Sequence, residues 1–495
     1  MKKSIRYFKL LSASPTGLRS PLVTVEVVIT PGIPRHHVVG LAQGAVKESL
    51  VRIRAAMLRA GYDFPRGAIT VNLAPADTRK ESSAFDLPIA LGILAADRRI
   101  DASCLESAPT LVLGELSLEG GVRPVSGVMP AMMRAKESGL KRFLIPSENA
   151  PEASAFEGLQ GACVSSLKEA VDQLKTPAWS SVKMTRFNTE PPPEKDSPPD
   201  FSVVIGQDDV IRSLAIAAAG RHNVLLSGSP GCGKILMARC LRGVLPPWSQ
   251  DTALAATCLH SLRKPGIHLL RERPFRSPHH SVSPAGLLGG GNPLRPGEVS
   301  LAHGGILFLD ELPEFSPRAL EGLREPMEER EVTLSRARTV ESFPADFQLV
   351  AAMNPCPCGQ HSPSGTDCRC SDRKRRAYRG RISGPLLDRI DLHIAVPRVD
   401  PTAVLKGDRI ASESIRTRVR MAAERIGTTP PFVDKNAEQA MIRASASLRL
   451  SMRAVSSVRR IAQSISAYDQ ADTVGKSHVA EAIRLGGQGW RFVAD

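Results

Sequence analysis

The stretch Gly228-Ser229-Pro230-Gly231-Cys232-Gly233-Lys234-Ile235 constrains this chain more than any other. It follows an apolar run, Asn223-Val224-Leu225-Leu226-Ser227, that reads as a buried parallel strand. It opens a helical pattern from Leu236 to Leu241. Strand, glycine-rich loop and helix in that order make a P-loop. The glycines let successive backbone N–H groups turn inward around phosphates, and the helix N-terminus adds a favourable dipole. Gly228, Ser229, Pro230, Gly231, Cys232 and Gly233 would form the cradle, with Lys234 reaching the β- and γ-phosphates. The next position calls for Ser or Thr, whose hydroxyl ligates Mg²⁺. Ile235 stands there, and a branched alkyl group cannot ligate a metal.

Two more apolar runs end in polar groups suited to ATP chemistry. Gly305-Ile306-Leu307-Phe308-Leu309-Asp310-Glu311 is a buried strand closed by two acids, the Walker B pattern. Asp310 would hold the Mg²⁺ shell, and Glu311 would polarise the attacking water. Leu349-Val350-Ala351-Ala352-Met353-Asn354 is a third such strand, whose terminal amide suits a group that orients the water. Gly206-Gln207, ahead of the P-loop, suits an adenine-side contact. Either motif alone could arise by chance, but both in this order point to an ATPase.

The rest of the chain sets the context. At ~150 residues per domain, 495 residues make about three domains. Apolar residues are 42% and aromatics only 4%, so the cores should be aliphatic. A net charge of +15 favours a polyanionic partner such as nucleic acid. No apolar run approaches the ~18–20 residues of a membrane span. The first residues carry charges where a signal peptide needs its apolar core. A cytoplasmic protein without membrane association is expected. Residues 1–172 alternate strands and helices: Val23–Ile29, Ile69–Leu73, Leu111–Leu113 and Arg142–Ile145 read as strands, Ala45–Ala60 and Leu87–Ala95 as helices. Residues 173–200 form a proline-rich linker, 201–400 the nucleotide domain, and 401–495 a helical region broken near Pro430-Pro431.

Nine cysteines, four of them clustered, fit a reduced compartment better than a disulfide framework. Cys356, Cys358, Cys368 and Cys370 form two C-x-C pairs that could complete a tetrahedral zinc site, free thiols being the main alternative. Directly after them come Arg373, Lys374, Arg375, Arg376, Arg379 and Arg381, with Tyr378 the only aromatic among them. That composition suits charge neutralisation of a nucleic-acid backbone more than base stacking, and a solvated face is the bland alternative. His279 and His280 are read as structural or DNA-facing, because neighbours in a strand point apart.

Long strings carry a resemblance to the ComM/YifB family of magnesium-chelatase-like AAA+ ATPases over nearly the full length. They are Pro21-Leu22-Val23-Thr24-Val25-Glu26-Val27, Thr70-Val71-Asn72-Leu73-Ala74-Pro75-Ala76-Asp77, Arg273-Pro274-Phe275-Arg276-Ser277-Pro278-His279-His280, Leu309-Asp310-Glu311-Leu312-Pro313-Glu314-Phe315, Asn354-Pro355-Cys356-Pro357-Cys358-Gly359 and Ser383-Gly384-Pro385-Leu386-Leu387-Asp388-Arg389-Ile390-Asp391-Leu392-His393. The resemblance implies an α/β chain: an α+β front domain of the S5/Lon-protease type, a three-layer AAA+ core and a helical lid. It implies a ring, expected to be a hexamer, with ATP and Mg²⁺ between subunits. Arg389 would be the finger reaching the neighbour's γ-phosphate, and Arg453 the sensor in the lid. It also implies ATP-driven motion on branched or single-stranded DNA, a branch-migrating helicase for incoming DNA in natural transformation. A hairpin around Val332–Thr339 would point into the ring channel and bring Arg336 and Arg338 to phosphates.

Two departures matter. The family carries Thr or Ser where this chain has Ile235. Either hydrolysis is slowed, with Mg²⁺ held by phosphates, water and Asp310, or the chain binds ATP and hydrolyses little. Mg²⁺ keeps several waters in most sites, and the retained Lys234, Asp310, Glu311, Asn354 and Arg389 favour weakened turnover. In the front domain, Ala84 stands where the protease has its Ser and Met129 where it has its Lys, and Ser82 and Ser83 are out of register. No peptidase activity is expected. The alternatives are a magnesium-chelatase motor subunit, which would resemble this chain only in the central and lid regions, and an ATP-gated DNA scaffold.

Overall fold

Alternation of apolar and polar residues makes Leu22–Thr30 a strand with one buried face, on which Val23, Val25, Val27 and Ile29 lie fully buried. The computed structural model describes residues 5–15, 17–40, 45–76, 80, 82–175, 179, 197–336, 339–361, 368–399 and 409–486. The front domain has seven sheet strands: β1 (Arg6–Ala13), β2 (Leu22–Thr30), β3 (Arg35–Val39), β4 (Ala68–Ala74), β5 (Thr110–Val112), β6 (Arg142–Pro146) and β7 (Gln160–Val164). They lie in the order β3-β4-β2-β1-β5-β6-β7. β2 runs antiparallel to β1 and β4, and the other neighbours pair in parallel. Its longer helices are α1 (Ala45–Arg59), α2 (Asp86–Ala96), α3 (Val128–Glu137) and α4 (Leu167–Leu174). Helix α2 is apolar all round and correspondingly buried all round.

The second sheet has five strands: β8 (Val224–Gly228), β9 (Phe275–Arg276), β10 (Ile306–Leu309), β13 (Gln348–Met353) and β14 (Leu392–Val396). Between β10 and β13 the chain forms a separate antiparallel hairpin, β11 (Glu331–Arg336) with β12 (Thr339–Pro344). The sheet order is β9-β10-β13-β8-β14, every pair parallel. Its central strands are apolar at successive positions because both faces are covered. Leu226, Phe308, Val350 and Ala352 point into one core, shared with α5 (Asp208–Gly220), α6 (Lys234–Val244) and the C-terminal helices. Leu225, Leu307, Leu349 and Ala351 point into the other, with Leu312, Leu320 and Leu323. Further helices include α7 (Gln250–Ser261), α8 (Arg324–Glu329), α9 (Asp372–Arg379) and the four lid helices α10 (Ser412–Thr428), α11 (Lys435–Leu448), α12 (Met452–Tyr468) and α13 (Lys476–Leu485), besides short turns of helix at Pro284–Leu288, Glu298–Leu301, Pro317–Gly322 and Gly384–Leu387. The lid is tied to the sheet by Asp391, which accepts from Ser457 Oγ at 2.6 Å and Arg460 Nη2 at 2.9 Å on α12. No helix among the described residues is long and apolar enough to cross a membrane.

The front domain docks on the second domain through the region of Ala84 and Met129, the two positions expected to stand in place of a Ser-Lys dyad. Ala84 and Met129 are both buried in one apolar cluster, which Cys258 of α7 and Leu269 join from the other domain. The end of α7 then caps α3: Gly127 N–H donates to Ser261 O at 2.8 Å, and Met129 N–H to Ser261 Oγ at 3.4 Å. Ser261 Oγ in turn donates to the fully buried Glu152 carboxylate, which also accepts from Asn149 Nδ2. Ser82 caps the turn at Ser83–Phe85, and Ser83 bonds Glu115, so both serines are engaged in local structure.

Burial raises the Glu152 carboxyl from 4.5 to about 7, against the lowering effect of its Ser261, Asn149 and Gly266 donors. A raised acid binds its proton better in the docked state. Its contribution is therefore full below pH 4.5, declines as pH rises from 4.5 to about 7, and is flat above. Among the described residues, the Cys258 thiol interacts with it across the seam, itself pushed up to about 12 by burial. Glu152→Gln should abolish that slope in denaturant midpoints measured across this window. A variant that keeps the wild-type slope would exclude Glu152 as its source.

Candidate nucleotide and metal site

Parallel pairing brings the C-terminal ends of β8, β10 and β13 to one edge of the sheet, where ligands of such sheets bind. Each strand end delivers one part. β8 runs into the P-loop, where Gly233, at φ +90°, turns the chain into α6 in a left-handed conformation that suits glycine. Lys234 starts α6 and folds back. Its Nζ donates to Gly228 O at 2.7 Å, Ser229 O at 3.1 Å and Asn354 Oδ1 at 3.2 Å. The sequence-predicted Lys234 and Asn354 are thus in direct contact. Gln207, nearly buried, donates from Nε2 to Pro397 O at 2.8 Å and to Cys232 O at 3.5 Å, which sets it beside the P-loop. Ile235 keeps 44% of its surface exposed and is not part of the apolar core.

β10 delivers the two acids. Asp310 Oδ1 accepts from Glu311 N–H at 2.9 Å. Glu311 adopts φ 53°, ψ 47°, a left-handed conformation that costs a non-glycine residue about 1–2 kcal/mol. Its carboxylate lies 3.2 Å from His280 Nδ1. His280 was expected to point away from His279, as in a strand. The segment is instead a turn beyond the two-residue β9, and the two rings lie 4.1 Å apart. His280 is a site residue that sequence reasoning missed, although it closes the Arg273–His280 string.

β13 ends at Asn354 and leads directly into the cysteines. All four Sγ atoms lie within 4.8 Å of one another. The closest pairs are 3.3 Å for Cys356–Cys358, 3.6 Å for Cys356–Cys368 and 3.8 Å for Cys358–Cys368. Sulfurs around tetrahedral zinc, at Zn–S of ~2.3 Å, stand roughly 3.8 Å apart, so the set fits that ion. Cys358 is poised as a thiolate, held at about 6 chiefly by the Gln360 backbone N–H, while burial pushes Cys356 up to about 11. This loop rests on the nucleotide site. Gly359 (φ +75°) packs so closely on Pro230 that a Cβ there would come within 2.5 Å of the proline ring. Helix α9 follows, with Arg373, Lys374 and Arg376 exposed. Arg375 bonds Cys370 O at 3.0 Å, Arg379 reaches Pro355 O at 3.5 Å, and Arg381 pairs with Glu314 at 2.7 Å. Tyr378 is buried on the Asn354 backbone, so the one aromatic of the basic run faces inward.

Arg389 and Arg453 form a second group. Arg389 precedes β14, Arg453 lies in the first turn of α12, and both pair with Glu328 of α8. No hydrogen bond or ion pair among the described residues joins them to Lys234, Asp310, Glu311 or Asn354. In the hairpin, Arg336 is exposed and donates to Gly291 O at 2.9 Å, which ties β11 to the small strand pair Gly289–Gly290 and Arg295–Pro296. Arg338 lies outside the described residues.

A model described as magnesium chelatase, subunit ChlI, matches residues 200–404, and its C-terminal counterpart matches residues 430–485. The chain is 39% identical to the competence protein ComM of Haemophilus influenzae over 496 residues, covering 95% of this chain and 96% of that one. It belongs to the ComM/YifB family. The YifB protein of Escherichia coli is 38% identical, covering 94% of both chains. Lon protease 2 of Bacillus subtilis is 28% identical over 212 residues, 37% of each chain. The family architecture is magnesium-chelatase-like and AAA+, with partial likeness to Lon. One expectation needs correction. A further model, described as subunit ChlI of Mg-chelatase, matches residues 25–149, so likeness to chelatase subunits is not confined to the centre and lid.

If the four thiolates hold zinc, purified protein should carry about one equivalent by elemental analysis, as for a single four-sulfur site. Replacing Cys356 and Cys358 with Ser should remove it. Metal retained by that double variant would place the ion elsewhere.

Proposed function

We propose that this chain is an ATP-hydrolysing ring motor acting on DNA, a branch-migration or helicase factor in the recombination of incoming DNA. The observation that carries the reading is the bond between Lys234 and Asn354, flanked by Asp310 and Glu311 on the neighbouring strand end. Lys234 and the backbone N–H groups of the loop would hold the phosphates. Glu311 would take a proton from the attacking water, and Asn354 would orient it. Asp310 would hold Mg²⁺, whose charge offsets that developing on the phosphates. The zinc loop would be structural, fixing Asn354 and α9 against the P-loop. The relation to a protein named for competence, over nearly the whole of both chains, supports a role in natural transformation. A hexameric ring in the cytoplasm, with the front domain as a platform, completes the reading.

The DNA part rests on charge. The net charge of +15 is expressed in part by the exposed Arg373, Lys374 and Arg376 of α9 and by Arg336 on the hairpin. Each phosphate contact made by such a residue adds to the salt dependence of binding.

Ile235 favours a second reading, an ATP-gated DNA binder with little hydrolysis. Its exposed alkyl side chain offers Mg²⁺ no ligand where the family has a hydroxyl. A slowed motor is preferred, because water can replace one ligand of Mg²⁺.

Mg²⁺-dependent ATP turnover, with and without forked or four-way DNA, separates the two. Native turnover above a Lys234→Ala blank, raised by DNA, is expected, and Ile235→Thr should increase it about tenfold, in the range of one lost charge-assisted contact. Turnover by Ile235→Thr alone, with ATP still bound by the native chain, would establish the gated binder instead. Replacing Arg336 and Arg338 together with Ala should weaken DNA binding and flatten its salt slope by about two phosphate contacts. Unchanged affinity would remove the hairpin from the DNA path.

A further inference from the structure

Arg389 and Arg453 arrive from different layers of the molecule and end on one oxygen atom. Arg389 Nη2 lies 2.9 Å from Glu328 Oε1, and Arg453 Nη2 bonds that same oxygen. Two guanidinium groups at one point repel each other unless an anion lies between them, and Glu328 is that anion. The arrangement also leaves donor capacity unspent. The Arg389 side chain is only 11% exposed, its Nη1 donates to Pro385 O at 2.6 Å, and its Nε is buried with no acceptor. A planar guanidinium with a donor still to satisfy suits the multiple oxygens of a phosphate. Of the other charges that act on Arg389, Arg324 and Glu321 pair with each other at 2.8 Å, and Asp388 adds a second acid.

Glu328 also stands at a junction. Its helix, α8, ends at Arg330, whose left-handed φ of 58° turns the chain straight into the β11–β12 hairpin. The α8 side of the hairpin thus leads directly to the carboxylate. The carboxylate in turn meets both arginines: one beside the Asp391 tie between sheet and lid, the other on the lid helix itself.

We propose that Glu328 is a positioning residue, the shared counter-ion that holds Arg389 and Arg453 as one clamp for the terminal phosphate of a nucleotide bound by a second copy of this chain. This rests on the ring-ATPase reading. Glu328 does not touch the reacting atoms. It sets the spacing of the two groups that do, and it links that spacing to whatever the hairpin contacts.

Because the clamp serves the neighbour's nucleotide, Glu328→Gln should lower kcat about tenfold or more while its own P-loop keeps KM for ATP within about threefold, as expected for misplacement of transition-state groups. Glu328→Asp should recover part of the loss. Equimolar mixing of Glu328→Gln with Lys234→Ala chains should give turnover well above the mean of the two alone, since each supplies the part the other lacks. Hydrogen exchange in the first turns of α12 should rise in Glu328→Gln, a readout that needs no turnover. The turnover measurements are repeated in an Ile235→Thr background if native hydrolysis is too slow to divide. Wild-type kcat in Glu328→Gln, no gain on mixing, or unchanged exchange in α12 would each overturn the proposal. Failure of the ring reading would look different: Arg389→Ala would then leave turnover intact.

Discussion

The ammonium group of Lys234 is held at once by two carbonyls of its own loop and by the amide oxygen of Asn354 on the adjacent strand. That bond requires β8 and β13 to be parallel neighbours ending at the same height, and the register of Ser227 opposite Met353 supplies it. The rest of the site hangs from this pair. β10 lies on the far side of β13 and ends in Asp310 and Glu311. The cysteine loop leaves β13 directly after Asn354 and returns under Pro230. Helix α9 is fixed to that loop by Arg375 and Arg379, and its buried Tyr378 closes back on Asn354. A shift of β13 by one residue would send its side chains to the wrong faces and break both cores together.

The positive groups divide by how far they are committed. Arg212, bonded to Asp469 and Glu481, staples the lid to α5, and Arg276 is paired with Glu298. Arg389 and Arg453 share one anion between two cations, so that pair stays net positive. Arg373, Lys374 and Arg376 stand exposed on a short helix. Under the proposed DNA-motor function, the exposed cations of α9 and Arg336 of the hairpin are the ones a polyanion would meet, while Arg389 and Arg453 are kept for the neighbour's nucleotide.

What could be read from residues alone was local in the chain. The P-loop, the strand ending in two acids and the strand ending in Asn354 each announce themselves over a few positions, and the four cysteines do so by spacing. The strands and helices of the front domain follow from alternation and apolar runs, and Ala45–Arg59 and Ala68–Ala74 fall where those patterns put them. Contacts made across packing were not legible. Glu328 is one of several acids in a charged helix, and nothing in its spacing sets it apart. Glu152 and Ser261 meet only because α7 reaches the front domain. His280 escapes sequence reasoning for a different reason: strand geometry would part neighbouring side chains, but here the chain turns and the His279 and His280 rings meet.

The docking seam between the front domain and the core carries a chemical consequence. Ala84 and Met129, the positions expected to stand in place of a Ser-Lys dyad, are part of the surface that joins one domain to the other. A lysine at position 129 would have to be desolvated beneath Cys258 and Leu269, on a seam whose buried acid, Glu152, lies just beyond Ser261 and already spends its hydrogen bonds on Ser261 and Asn149. Placing polar reactive groups at positions 84 and 129 would therefore require the domains to come apart first. The side chains that close the seam thus also keep it closed to further polar groups.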